Sequence, residues 1–394
     1  MKNNKYIWIL NFLAVVIVIF IVFVITQLLT KHSVSIWPDY ASMQTLSTPI
    51  EWVRWVLGEM SEAQFYKNEF ASLGLIIGAT IAYFASIYKK CWQGFEISYG
   101  TGLFPWIFLS SSLGLIFSNL LWGWVVVESQ QWQPTFVAFV SLPAAVVLMY
   151  GRGLKIALVG AVLGTILVTP CSILFVNYLC RPFNLPNVIG NVSGMAIGSL
   201  IAFVFLHKFK FLVSKPNIQE QQTIANDSDN HVSINLKTES YGPLWTVRRM
   251  LADFSESQFF ANEIASLGYL LGVFYAIYLN PFSIAYGSDL IGKILISQFL
   301  ASGLAILLWR KQWQLHGWYP TYIPISSVAS VVVLFYIGSL SSIILGAILG
   351  AMIAPPLAKR ISDKLAHYQH PYIGNVISMA ITTLLTIAVI ALIS

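Results

Sequence analysis

The sequence predicts an all-α polytopic membrane protein of about eleven transmembrane helices, one N-terminal helix followed by two five-helix repeats of opposite orientation. Three observations carry this. Of the 394 residues, 57% are hydrophobic and 10% charged, where ordinary soluble domains carry roughly 25% charged residues, so most of the surface must face lipid. Six blocks of the first half recur in order in the second. The Lys and Arg residues are distributed unevenly among the loops.

The apolar stretch 7–29 is long enough to span a bilayer core. It exceeds a signal-peptide core and is followed by no small-x-small cleavage pattern, so residues 1–30 read as a retained N-terminal transmembrane helix. Repeat 1 covers 49–207. It opens on an amphipathic segment, Pro49–Met60, that reads as an interfacial helix with Trp52 and Trp55 at headgroup depth. Its spans fall near 70–88, 104–127, 134–150, 154–177 and 187–206. The stretch 92–127 holds one span, because Phe95–Thr101 carries Glu96 and turn-like residues. Residues 208–240, rich in Gln, Asn, Asp, Ser and Lys, read as a cytoplasmic polar linker with too little apolar surface to offset the entropy of ordering. Repeat 2 covers 244–394. Its opening segment Leu244–Phe254 is again amphipathic, with Trp245, and its spans fall near 263–279, 288–309, 319–337, 339–356 and 372–393.

The repeat is visible residue by residue. Ser61-Glu62-Ala63-Gln64-Phe65 is answered by Ser255-Glu256-Ser257-Gln258-Phe259, and Asn68-Glu69 by Asn262-Glu263. Tyr99-Gly100 returns as Tyr286-Gly287, Pro134-Thr135 as Pro320-Thr321, Gly160 and Gly164 as Gly346 and Gly350, and Gly190-Asn191 as Gly374-Asn375. The offset drifts from 194 to 184 residues, as loop insertions and deletions produce.

With the N-terminus in the cytoplasm, seventeen Lys and Arg fall inside and four outside (Lys31, Arg54, Lys67 and Arg181), a positive-inside pattern. The net charge of +6 therefore reports topology, and no nucleic-acid partner is needed to explain it. Charge follows the first and third spans of repeat 1 (Lys89-Lys90, Arg152 and Lys155) but the second and fourth of repeat 2 (Arg310-Lys311, Lys359-Arg360). Five-span units entering the membrane in opposite orientations produce that swap. Inverted repeats are a recurrent plan of secondary transporters, with the binding site near the midplane between the copies.

Candidate binding residues follow from the same repeats. Asn68-Glu69 and Asn262-Glu263 open the first span of each copy; they are helix caps or, alternatively, ligands for a cation, a proton or a substrate amine. Pro134-Thr135 and Pro320-Thr321 open short spans, either at the lipid interface beside a Trp or inside the protein, where free N–H groups favour an anion. Asn191 and Asn375 lie one turn inside the last span of each copy and act as polar glue or as substrate contacts. Asp289 and Lys293, four residues apart, have no charged counterpart in repeat 1. They are expected to share a helix face as an intramembrane ion pair, with snorkelling to water as the structural alternative. Gly160, Gly164, Gly346 and Gly350 are packing positions, and Pro170 and Pro355-Pro356 should kink or end their helices.

Cys91, Cys171 and Cys180 lack metal or redox spacing, and no nucleophile elbow, phosphate loop or metal motif is present. The sequence thus points away from an enzyme and calls for no catalytic residue, metal or cofactor. It points to a secondary transporter (permease) of the inner cell membrane, multi-pass with its N-terminus cytoplasmic. Its partners would be the lipid bilayer, a small solute and a coupling H+ or Na+, with homo-oligomerisation left open. The competing classes are a passive solute channel and a membrane-embedded enzyme or accessory subunit of a larger complex.

Overall fold

The computed structural model describes residues 2–213 and 241–393, and among them there are helices and turns but no strand. In chain order the helices are α1 (Lys2–Lys31), α2 (Tyr40–Gln44), α3 (Pro49–Glu59), α4 (Glu69–Ile87), α5 (Phe104–Ser129), α6 (Leu142–Tyr150), α7 (Leu154–Cys180), α8 (Asn187–Lys208), α9 (Pro243–Asp253), α10 (Glu263–Leu279), α11 (Ile291–His316), α12 (Val328–Phe335), α13 (Leu340–Ser362) and α14 (Tyr372–Ile393). Eight of them (α1, α4, α5, α7, α8, α11, α13 and α14) are long and apolar enough to cross a membrane. This is the make-up of a helical membrane protein.

The expected eleven full spans are not all continuous helices. The span at 134–150 breaks into a 3-10 turn, Thr135–Ala138, and the nine-residue α6. The span at 319–337 breaks into turns and the eight-residue α12. Both segments are buried, which is the condition under which non-helical backbone survives at membrane depth. Region 92–127 holds one long helix, α5, after a 3-10 turn at Ile97–Gly100. The polar linker falls mostly outside the described residues; within them, Lys208 ends α8 and Lys210–Leu212 forms a 3-10 turn.

Two expectations about helix ends also change. α7 runs past Pro170 with π-helical turns at Gly164–Val168 and Val176–Cys180; the wider turn before the proline relieves its clash with the preceding carbonyls. Pro355 and Pro356 sit inside α13, which continues to Ser362. Gly160, Gly164, Gly346 and Gly350 pack as expected, each against the broken segments: a Cβ on Gly164 would lie 2.8 Å from the Pro143 ring, and one on Gly350 would lie 3.1 Å from Pro324.

α3 begins with a capping box between Thr48 and Glu51, with Pro49 at its first position. Hydrogen bonds from Thr45, then Ser47, hold the Glu51 carboxylate down at about 2. The helix then turns inward. Trp55 is fully buried and Arg54 and Glu59 are buried; so are Trp245, Arg249 and Asp253 of α9. The two amphipathic helices are therefore not interfacial. Their buried charges find partners inside the protein, and Arg54, Lys67 and Arg249 do not belong to the loop charge at all.

Each of these helices is joined to the next by a buried turn with a left-handed phenylalanine, Phe65 at φ 65° and Phe259 at φ 63°. The helices that follow, α4 and α10, cross antiparallel through glycine. A Cβ on Gly74 would stand 2.1 Å from the Gly268 carbonyl oxygen, one on Gly268 2.3 Å from that of Gly74, one on Gly78 2.6 Å from that of Ile264, and one on Gly272 2.1 Å from that of Phe70. Backbone touches backbone along the whole crossing. Gly74→Ala is expected to destabilise at or above the upper end of the roughly 1–3 kcal/mol that overpacking costs. Gly123→Ala, on a helix with nothing within 4 Å of the new methyl, should leave heat resistance in detergent equal or slightly higher. Equal resistance of both variants would refute the tight crossing.

Candidate functional site

The site is built from bonds that the two halves exchange. The Ser98 N–H donates to the Phe260 carbonyl at 2.9 Å, and the Ala285 N–H to the Tyr66 carbonyl at 2.8 Å. Gln64 Nε2 donates to the Phe254 carbonyl at 3.1 Å, and Gln258 Nε2 to the Met60 carbonyl at 3.4 Å. These pin the two buried turns together at the centre of the molecule.

Each turn carries an ionic cluster. In the first half, Lys67 Nζ lies 3.2 Å from Glu59 Oε1 and 3.0 Å from Glu62 Oε2, with all three side chains sealed from solvent. Thr135 and Asn119 donate to Glu59, Trp132 Nε1 donates to Glu62, and the Tyr286 hydroxyl reaches Glu62 at 3.2 Å. The ammonium also stands 3.5 Å over the Trp55 ring. In the second half, Asp253 and Glu256 occupy the positions 194 residues on. Their cation is Arg249, 2.6 Å from Asp253 and in contact with Glu256. Thr321 and Ser302 donate to Asp253 at 3.2 and 2.6 Å, and Trp318 to Glu256 at 2.6 Å. The cations are not equivalent: Arg249 corresponds to Trp55, and Lys67 to Ala261.

The predicted site residues separate accordingly. Thr135 and Thr321, with Pro134 and Pro320 beside them, are buried, and their hydroxyls serve Glu59 and Asp253. The Pro-Thr segments therefore begin in the interior, and the anion they meet is a carboxylate of the chain itself. Asn68 and Asn262 are caps, accepting from Phe70 and Ala71 N–H at 2.9 and 3.2 Å and from Ile264 and Ala265 N–H at 2.8 and 3.0 Å. Glu69 and Glu263 are held by Arg54 at 2.7 Å and Arg248 at 2.8 Å. Asn68 and Asn262 thus act as caps and Glu69 and Glu263 as ion-pair partners, while Glu69 Oε2 is buried with no hydrogen bond among the described residues. Asp289 and Lys293 are not an intramembrane pair. Asp289 is exposed, left-handed at φ 58° and ahead of α11, so the two residues share no helix face. Lys293 is exposed in the first turn with its chain end against Gly338.

Asn191 lines a chamber between the halves, and Asn375 holds a tyrosine of its lining. The first half contributes Glu62, Phe65, Phe136, Val188 and Asn191 to the chamber lining, and the second half Ser257, Tyr286, Tyr322, Ser326 and Tyr372. Asn375 Nδ2 donates to the Tyr322 hydroxyl at 2.8 Å, while Asn191 Oδ1 is buried without a partner among the described residues. Phe65, Val188, Asn191 and Tyr286 also line a wider vestibule of about 370 Å³, whose rim includes Trp132, Pro186, Asn187, Leu334 and Phe335. Across the chamber the way is shut. The Tyr372 and Ser199 hydroxyls touch, and Phe259 packs edge-on to Tyr372 at 5.9 Å and to His370 at 6.1 Å. The residues matching His370 and Tyr372 at the 184-residue offset are Pro186 and Val188, which stand at the open end.

No family model, no curated protein and no solved structure matches this chain.

Proposed function

We propose that this chain is a secondary transporter, a multi-pass protein of the cytoplasmic membrane that carries a small solute between two halves arranged as inverted repeats. The observation that carries the reading is the cavity between the halves, open at one end and shut at the other by residues in matching sequence positions. The inverted arrangement is supported by the antiparallel glycine crossing of equivalent helices and by the reciprocal hydrogen bonds of the two turns. A two-fold axis in the membrane plane makes equivalent helices antiparallel, whereas one along the membrane normal leaves them parallel. The vestibule rim lies at the lysine- and arginine-poor ends of the helices, so by the positive-inside rule the N-terminus is cytoplasmic and the vestibule faces outward.

In a background without Cys91, Cys171 and Cys180, Gln130→Cys should react with an impermeant thiol reagent on intact cells, and Gln314→Cys only after permeabilisation. Labelling of both from one side would rule out the inverted plan. Transport is tested with Ser326→Cys, inside the chamber. It should react from outside in the resting protein, and adding Tyr372→Ala should raise its reactivity from inside while lowering it from outside, because weakening one closed gate moves the population between two states. A channel would gain inside reactivity and keep all of its outside reactivity. A sealed accessory subunit would gain none.

A further inference from the structure

The chamber's chemistry narrows what it holds. Glu59 and Glu62 face one ammonium, Lys67, and the three together are sealed from water. Among the described residues, the other titratable groups that face the pair are phenols: Tyr40 from α2, Tyr269 from α10, and Tyr286 ahead of α11. Asn119, Trp132 and Thr135 supply neutral donors. None of these adds positive charge, so with both carboxylates ionised the cluster carries one uncompensated negative charge. A buried charge without a counter-charge is neutralised by a proton or a cation. The second observation is another group of the same chamber lining. Asn191 is 4% exposed and its Oδ1 has no partner, although it lines both chamber and vestibule. Around it stand the rings of Phe65, Phe136, Phe259, Tyr286, Tyr322 and Tyr372. A carboxylate, a free amide oxygen and aromatic faces together suit an organic ammonium, which needs acceptors for its N–H groups and ring faces for its charge.

We propose that the chamber binds a small organic monocation of the alkylammonium class, in exchange for one proton shared by Glu59 and Glu62 when the chamber is empty. The exchange balances. A carboxylic O–H breaks, its proton leaves through the vestibule to water, and the ammonium takes its place; Lys67 keeps its charge and the cluster is neutral before and after. This deepens the transporter reading and names its solute class and coupling ion, but the binding step itself needs no transport.

The test uses the purified full chain in detergent, with ethylammonium chloride as probe and ethanol and sodium chloride as comparisons at matched ionic strength. Calorimetry in two buffers of different ionisation enthalpy should show about one proton released per ethylammonium, with apparent affinity rising about tenfold per pH unit while the pair is protonated. Ethanol should not bind. Infrared difference spectra should show a protonated-carboxyl band in the empty protein that ethylammonium removes. Glu62→Gln, which imitates the protonated state, should fold, bind no ethylammonium and release no proton. Asn191→Ala should weaken binding by about tenfold or more, the size of one hydrogen bond to a charged group. Failure of methyl-, ethyl- and tetramethylammonium alike to bind would overturn the proposal, as would binding without proton release. Sodium that displaces ethylammonium and releases the proton would reassign the chamber to an inorganic cation. Reactivity of Ser326→Cys that stays on one side when Tyr372→Ala is added, alongside intact ethylammonium binding, would defeat the transporter reading alone.

Discussion

Lys67→Met is expected to abolish recovery of folded protein, and adding Glu59→Gln to restore it. Methionine keeps much of the lysine stem's volume, so packing against Trp55 survives and the change is mainly one of charge. It leaves Glu59 and Glu62 facing each other at a site with no solvent access. Removing one partner of a buried ionic group costs about 3–5 kcal/mol, a large share of the roughly 5–15 kcal/mol that holds a typical domain folded. Protonating both carboxylates would relieve the repulsion, but both oxygens of Glu59 already accept, from Thr135 and Asn119, so a proton there would displace a donor. In the double variant one carboxylate remains, and the introduced glutamine keeps the Thr135 bond through its amide oxygen. Asn119 can then turn its Oδ1, which has no partner, toward the new amide N–H. Lys359→Met serves as the control. Its partner Asp363 is 56% exposed and the pair spans one helical turn, so its loss should change stability by no more than about 1 kcal/mol. Size-exclusion profiles after heating measure all four proteins. A Lys67→Met protein as heat-resistant as the parent would show that the cluster's charge does not support the fold.

What the sequence made legible follows from what repetition can and cannot reveal. Hydrophobic length gave α1, α5 and α14 close to their observed bounds, and the repeated Pro-Thr and Gly-Asn blocks lead directly to Thr135, Thr321, Asn191 and Asn375 around the centre. Glu62 and Glu256 stand inside the first matched block, but an acid next to a helix start reads equally well as an electrostatic cap, and only burial separates the two roles. Glu59 and Asp253 were masked by chemistry that differs by one methylene, inside segments whose amphipathic pattern fits a membrane surface. The pattern identifies a polar face but not whether water, headgroups or another half of the protein will meet it. Lys67 and Arg249 had no repeat signal, because each occupies a position where the other half has Ala261 or Trp55. Their burial contradicts the general rule that lysine and arginine mark loops, and the loop count absorbed them. Asp289 and Lys293 failed for a local reason: the left-handed backbone at Asp289 postpones the start of α11, so the four-residue spacing never becomes a helical one.

The two ends of the cavity differ by side chains in matching places. Pro186 and Val188 at the vestibule offer no hydroxyl and no large ring, whereas His370 and Tyr372 at the shut end bring both. Tyr372 reaches Ser199 of α8, and the Phe259 ring packs edge-on against Tyr372 and His370. In the proposed cycle the resting preference for the outward-open form is therefore written into two positions. The same symmetry implies that closing the vestibule requires Pro186 and Val188 to approach α14 without a hydrogen bond to hold them. The solute, not the protein, would have to supply that difference.

Trp55→Arg combined with Lys67→Ala is expected to fold where Lys67→Ala alone does not, and to lose proton-linked binding of ethylammonium. The double variant gives the first half the second half's arrangement. An arginine at 55 stands four residues before Glu59 and seven before Glu62, the spacing at which Arg249 meets Asp253 and Glu256. Residue 67 becomes alanine, as at Ala261. The guanidinium restores the cluster's charge count, so heat resistance should return most of the way, short by the stacking partner that Trp313 provides to Arg249 at 4.7 Å. Binding should not return with it. Arg249 grips its carboxylates from α9, and Glu256 lies off the chamber wall, whereas Lys67 approaches from the far side of the turn and leaves Glu62 on the wall beside Tyr286. An arginine at 55 would hold both carboxylates by its fork, leaving no acceptor to exchange a proton for an ammonium. Heat resistance and calorimetric proton release, measured on the same preparations, separate the two effects. Recovery of both would mean that the cluster needs a cation from either position and that the Lys67 placement carries no function. Recovery of neither would mean that the two buried turns differ in backbone geometry more than their matching left-handed phenylalanines indicate.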